Sequence, residues 1–420
     1  MGANRLTLRC WLAILLARLA GACSRAVGYG AGRTLPGRVA LTLAPGSLAE
    51  LARAHRVILI SGTNGKTTTT RLVTAALSPT GPVVTNGDGS NLVAGLATAL
   101  LTTRPGRGSI AVLEVDEIAL PAAIKQTEPV LVALLNLSRD QLDRAGEVAS
   151  HVARWSAALA GREHITVLAN SDDPLVVAAV LGARPTANDV IWVSVGQPWR
   201  RDFAVCPRCR AAWHPNPIDW ACDACGMRRP VSQWSLEQGA LTGPDGSSVQ
   251  LGLTLPGRAN AANGAVAVAV AEQFGVGIEA ALAQMRTVAD VGGRYLVRTL
   301  GSHSVRLLLA KNPAGWLEAL DELRLADRPV VIAVNAQTAD GTDPSWLWDV
   351  PMEQLRGRQV VASGERAADL AVRLHYAQVE HTVEADPALA LASLPAGPCD
   401  LVANYTAFVR ARTTLDGGAA

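Results

Sequence analysis

Short, continuously apolar runs alternate with stretches of helical period along this chain of 420 residues. The runs at 57–60, 110–115, 130–135, 165–169 and 190–195 carry almost no polar interruption. Runs of that length without polar alternation predict strands buried on both faces. Alternation with helical segments predicts a mostly parallel sheet covered by helices. Polar residues gather just after these runs: Glu114, Asp116 and Glu117; the segment 136–141; and Asn170-Ser171-Asp172-Asp173. Open α/β sheets place ligands at these carboxyl ends. A second series at 305–310, 330–335, 360–363 and 401–404 follows Gly292-Gly293-Arg294 and predicts another α/β domain. We therefore expect a lead-in at 1–45, a central domain at 46–295 with an insert at 203–230, and a C-terminal domain at 296–420.

The first run leads into Gly62-Thr63-Asn64-Gly65-Lys66-Thr67 and then Thr68-Thr69-Thr70-Arg71-Leu72-Val73. Strand, glycine turn and helix is the setting of a phosphate loop, where glycines admit the phosphates and helix N-terminal amides point at them. Lys66 would reach the β/γ-phosphates and the Thr67 hydroxyl would sit on Mg²⁺. Ile60 stands where the usual loop has its first glycine. The chain is expected to bind a nucleoside triphosphate. Lysine is otherwise scarce, with only Lys125 and Lys311 besides Lys66.

Cys206-Pro207-Arg208-Cys209 and Cys222-Asp223-Ala224-Cys225 interrupt the βα rhythm. Two CxxC pairs at this spacing predict a four-cysteine zinc ribbon, a closed and structural site. Two redox pairs are the alternative, without a thioredoxin-like setting around either. Cys10, Cys23 and Cys399 are scattered, which suits a reducing compartment. A net charge of +2 gives no case for a polyanionic partner. At the N-terminus, Leu12, Leu15, Leu16 and Leu19 share a helical face, with Arg9, Arg18 and Arg25 available for the other side. This predicts a cationic amphipathic helix, packed on the main domain or touching an anionic membrane; a cleaved signal is the alternative.

The loop, Glu114, the Asn-x-Asp-Asp of 170–173, Asn263, Gly293-Arg294 and Asn312-Pro313 together resemble the Mur ligase superfamily. Two departures narrow the resemblance: Gln141 and Lys311 stand where those ligases carry histidine. With the cysteine ribbon, 310–315 (Ala-Lys-Asn-Pro-Ala-Gly), 340–346 (Asp-Gly-Thr-Asp-Pro-Ser-Trp) and Asn404-Tyr405-Thr406, the chain is similar to the MurT family. Also matching are 24–28 (Ser-Arg-Ala-Val-Gly), Leu35-Pro36-Gly37 and 139–144 (Arg-Asp-Gln-Leu-Asp-Arg).

The resemblance implies a Mur ligase-type central domain and a MurT-type C-terminal domain. It implies ATP-dependent amidation of the D-glutamate α-carboxyl of lipid II through an acyl phosphate. Ammonia would come from a glutaminase subunit (GatD-like) in a heterodimer, in the cytoplasm at the inner face of the membrane. Glu114 would join Thr67 in holding Mg²⁺. Asn263 would take adenine, Arg294 phosphate, and Thr68 would belong to the nucleotide site. Asp343 would complete the partner's glutaminase site, with Asp340 and Asp349 as alternatives; a turn cap before Pro344 is the plainer role. Two rivals are a stand-alone Mur or folylpolyglutamate-type ligase and a zinc-ribbon nucleic-acid-binding ATPase. The sparse charge around the ribbon argues against nucleic acid.

Overall fold

The computed structural model describes residues 7–26, 34–87, 89–102, 109–138, 148–184, 189–196, 205–213, 219–289 and 295–417. Two compact units make up the chain, the first ending at Ala289 and the second consisting mainly of 290–420.

The first unit opens on α1 (Leu8–Ala26), α2 (Leu35–Leu43) and α3 (Ser47–Ala52). The leucines of α1 share a face as expected, but it is not the face that packs. Cys10, Ala13, Ile14 and Ala17 are buried instead, and three of them share a small core with Ala40 and Leu101. Arg9 and Arg18 do not oppose the leucines; they donate to the carbonyl oxygens of Leu43 and Leu101, at 2.8 Å and 2.9–3.0 Å, in the last turns of neighbouring helices. Cations favour such helix ends.

After α3 the strands are β1 (His55–Ser61), β2 (Val83–Thr85), β3 (Ser109–Val115), β4 (Leu131–Leu134), β5 (Thr166–Asn170), β6 (Val190–Ser194), β7 (Trp234–Glu237), β8 (Ala240–Thr242) and β9 (Ser248–Gln250). They form one sheet in the order β2-β3-β1-β4-β5-β6-β7-β8-β9. Pairing is parallel from β2 through β7, and β7 to β9 close the edge as an antiparallel meander. Sequence reading found neither β2 nor the meander.

The helices between the strands are α4 (Lys66–Ala76), α5 (Val93–Thr102), α6 (Leu120–Thr127), α7 (Val148–Leu159) and α8 (Pro174–Ala183). Then come α9 (Arg258–Glu272), packed on α4, and α10 (Ile278–Met285). β1 is flanked by β3 on one side and β4 on the other, with Ile60 level with Glu114 and Ala133. The strand order reverses there, so the loops after β1, β3 and β4 part to leave a crevice.

The second unit is a six-stranded sheet, β10-β11-β15-β12-β13-β14. The strands are β10 (Tyr295–Leu300), β11 (His303–Leu309), β12 (Val330–Ala333), β13 (Val360–Ser363), β14 (His381–Val383) and β15 (Gly397–Ala403). β10 and β11 form an antiparallel hairpin and the rest pair in parallel. Side chains alternate between two cores: Val330 and Ile332 join Trp316 and Leu370, while Val331 and Ala333 join Leu401 and Phe408. The fully buried Asp400 accepts two hydrogen bonds from Arg306, at 2.7 and 3.0 Å. Among the described residues no helix is long and apolar enough to cross a membrane.

Candidate functional site

Gly62 and Gly65 have φ of 151° and 83°, conformations that L-side chains rarely adopt. A Cβ on Gly62 would stand 2.8 Å from that of Leu135, and one on Gly65 would stand 2.4 Å from Asn263 Oδ1. The loop is held from the neighbouring strand end. Asn136 accepts from the Asn64 amide at 2.8 Å, donates to the Asn64 carbonyl at 3.1 Å, and its own carbonyl accepts from the Thr63 amide. Asn263, on α9, accepts from the Thr69 hydroxyl at 3.1 Å, which brings that residue to the loop. Thr67 and Thr68 are buried in the first turn of α4. Arg294, Asp140 and Gln141 lie outside the described residues.

Lys66 folds back over its loop. Its ammonium donates to the carbonyls of Gly62 and Thr63 and to Glu117 Oε2, the last at 2.8 Å. Burial opposes the charge on Lys66, yet Glu117, with Asp116 and Glu114 beyond it, raises the pKa above the ordinary lysine value. Burial likewise opposes the Glu117 charge, but Lys66 holds that pKa below the usual carboxylate range. Both directions describe an ion pair with each partner charged. Sequence reading placed Glu117 at this strand end without giving it a role. His151, on α7, is buried nearby; burial lowers its pKa by disfavouring the charged ring, with Glu117 opposing.

Glu114, next to last in β3, has only 2 % of its surface exposed. Asn86 brackets its backbone at 2.8 Å on both sides, and Asn91 donates to Oε1 at 3.3 Å. Oε2 is buried without a hydrogen-bond partner among the described residues. An orphaned carboxylate oxygen in a phosphate crevice fits a divalent cation, since burying such an atom unpaired is costly.

The Asn-x-Asp-Asp motif is structural. Asn170 donates to the Leu135 carbonyl at 2.9 Å. Asp173, fully buried, caps α8 through the amides of Leu175 and Val176 and also accepts from the Leu137 amide at 2.7 Å. Asp172 accepts from the amides of Val195 and Gly196 and from Arg229 at 2.6 Å. Arg229 closes the cysteine insert, so this contact fastens the insert to the sheet.

Inside the insert, Cys206, Cys209, Cys222 and Cys225 bring their sulfurs within 4.8 Å of one another. The Cys206–Cys225 and Cys209–Cys222 sulfurs are 3.7 and 3.6 Å apart. Thiolates ~2.3 Å from a tetrahedral zinc stand about 3.8 Å from each other, so the set fits that ion. Each CxxC forms a knuckle: the Arg210 amide bonds the Cys206 carbonyl, and the Gly226 amide bonds that of Cys222. Trp213 and Trp220 meet edge to face with centroids 5.6 Å apart.

In the second unit, Asp340 is buried and accepts from the Thr406 amide and hydroxyl. Asn335 and Asn404 exchange backbone-directed hydrogen bonds at 3.0 and 2.7 Å. Motifs separate in sequence, the loop at 340–346 and Asn404-Tyr405-Thr406, are thus one network. Asp343 is exposed and accepts from the amide and hydroxyl of Ser345, bonds that hold its pKa below the usual range. It does cap the turn, and its exposure leaves the carboxylate accessible.

A glycine-rich loop at the switch point of a parallel sheet, a buried acid near the end of the adjacent strand and a separate C-terminal α/β unit define an ATP-dependent ligase of the Mur type. Residues 60–202 match the Mur ligase middle domain and residues 309–408 match the MurT ligase C-terminal domain. Among solved structures, MurF from Acinetobacter baumannii superposes with a TM-score of 0.68 at 17% identity, over 91% of this chain and 81% of that one. The lipid II isoglutaminyl synthase (glutamine-hydrolyzing) subunit MurT of Streptococcus pneumoniae is 31% identical over 95% of this chain and 96% of its own. That of Staphylococcus aureus (strain COL) is 29% identical over 89% of each. The chain belongs to the MurT family.

Replacing Asn136 by Ala removes the side-chain bonds that fix the loop. At ~1–3 kcal/mol for buried groups left unpaired, the expected result is ATP binding weakened about tenfold or more in calorimetry. The chain should remain folded by circular dichroism.

Proposed function

We propose that the chain is the synthetase that amidates the D-glutamate α-carboxyl of lipid II, with ammonia delivered by a glutaminase subunit in a heterodimer. The full-length similarity to MurT subunits carries this reading. A carboxylate has no leaving group and repels nucleophiles. Phosphoryl transfer from ATP to one of its oxygens gives an acyl phosphate and ADP. Ammonia then adds to the carbonyl carbon, phosphate departs, a proton is lost, and the amide remains. The loop amides of 62–67 would bind the transferring phosphates, and Lys66 would balance charge that spreads over them. Thr67 and Glu114 would hold Mg²⁺, which supplies Lewis-acid stabilisation of the same oxygens. Asn263 and Arg294 are assigned to the nucleotide by family likeness. The cysteine ribbon holds structural zinc in this reading, and the protein acts at the inner face of the membrane.

Four measurements test the proposal. With a glutaminase partner and glutamine, or with ammonium, mass spectrometry of lipid II should show conversion of the carboxyl to the amide. Lys66→Ala should slow that conversion on the order of a thousandfold or more; near-normal turnover would refute the loop's role. Elemental analysis should find one zinc per chain, lost with Cys222→Ser along with thermal stability, because ribbon folding and metal binding are coupled. A metal-free, fully stable wild type would remove zinc from the account. Asp343→Asn should abolish glutamine-driven amidation while sparing the ammonium-driven reaction, if its carboxylate fixes the tautomer of a partner's histidine. Loss of both activities would place Asp343 in the synthetase site, and loss of neither would leave it a turn residue.

A further inference from the structure

Among the described residues the exposed face of α1 has no partner within its unit, although the helix already packs well through its other side. Leu8, Trp11, Leu12, Leu15, Leu16 and Leu19 are 44–74 % exposed. At about 100° per residue these six side chains fall within an arc of roughly 140°. Arg18 borders one edge of that arc and Arg9 the other, each about 20° beyond it. The buried residues Cys10, Ala13, Ile14 and Ala17 occupy the opposite side. The helix thus has three sectors: a small-residue seam to α2, a broad apolar outer face, and an arginine on either border.

We infer that α1 is an interfacial anchor that lies flat on an anionic lipid surface, its apolar arc at the acyl boundary and Arg9 and Arg18 among the headgroups. Charge complementarity selects this occupant. The sequence before Glu50 holds six arginines and neither Asp nor Glu. Arg38, on α2, is also exposed. Tryptophan and leucine facing outward between flanking arginines is the composition of helices that bind in the plane of a membrane. A bilayer crossing is not what α1 offers, for among the described residues no helix is both long and apolar enough. The arginine guanidiniums are held by the carbonyls of Leu43 and Leu101, so the cationic borders are fixed before any surface is met. The inference rests on the lipid II reading, because a substrate held in the bilayer requires the enzyme to work at its surface.

The test is flotation of the full chain with vesicles of phosphatidylcholine, with and without phosphatidylglycerol. Binding should need the anionic lipid and weaken as salt rises. A Leu12→Ser, Leu16→Ser double variant should bind at least about tenfold more weakly, given the apolar area withdrawn. The same variant should keep its melting temperature and its rate on a water-soluble, short-chain lipid II analogue. No flotation of the wild type, or equal flotation of the variant, would overturn the inference. So would a concentration-dependent dimer in sedimentation that the variant abolishes, since a second copy would then cover the face. Failure on the soluble analogue would instead count against the amidation reading, which vesicle binding does not test.

Discussion

The phosphate loop depends on hydrogen bonds reaching it from the neighbouring strand end, which add to those from Lys66 at the start of its own helix. Asn136 grips Asn64 and Thr63; Asn170 fixes the carbonyl just before Asn136; Asp173 fixes the amide just after it. Three strand ends are thereby tied in series. A glycine loop by itself samples many conformations, and its amides aim at an anion only when something outside holds them. The buried acids after β5 therefore serve the nucleotide crevice without belonging to it.

Electrostatics at the same place follow from burial. Lys66 and Glu117 neutralise each other inside the loop, and Glu114 stands beside them with one oxygen uncommitted. A single unpaired charge there would be costly, so cation and anion come together. Polyanion and divalent cation entering together would preserve that balance.

What could be read from the chain was chemistry that is local. The glycines, Lys66 and Thr67 sit within six residues, and the cysteines come as two close pairs. Long apolar strands such as β1 and β3 were equally plain, as was a second α/β unit. β2 and β8 are only three residues long and β9 alternates with exposed polar positions, so none carries an apolar run. The role of Asn136 and the pairing of Glu117 were hidden because each depends on a partner more than 50 residues away. On α1 the leucines were legible as a face, but its direction was not. Alanine, cysteine and glycine allow closer approach between helices than leucine does, and the packed side is the one with small residues.

The two knuckles of the cysteine insert make the same hydrogen bonds from unequal residues. Gly226 adopts φ 70° without penalty, whereas Arg210 is held at φ 62°, where a side chain crowds the backbone. The insert is a clasp with one relaxed jaw and one sprung jaw. Backbone strain is thus confined to the jaw of Cys206 and Cys209, while Arg229 moors the relaxed jaw of Cys222 and Cys225 to the sheet.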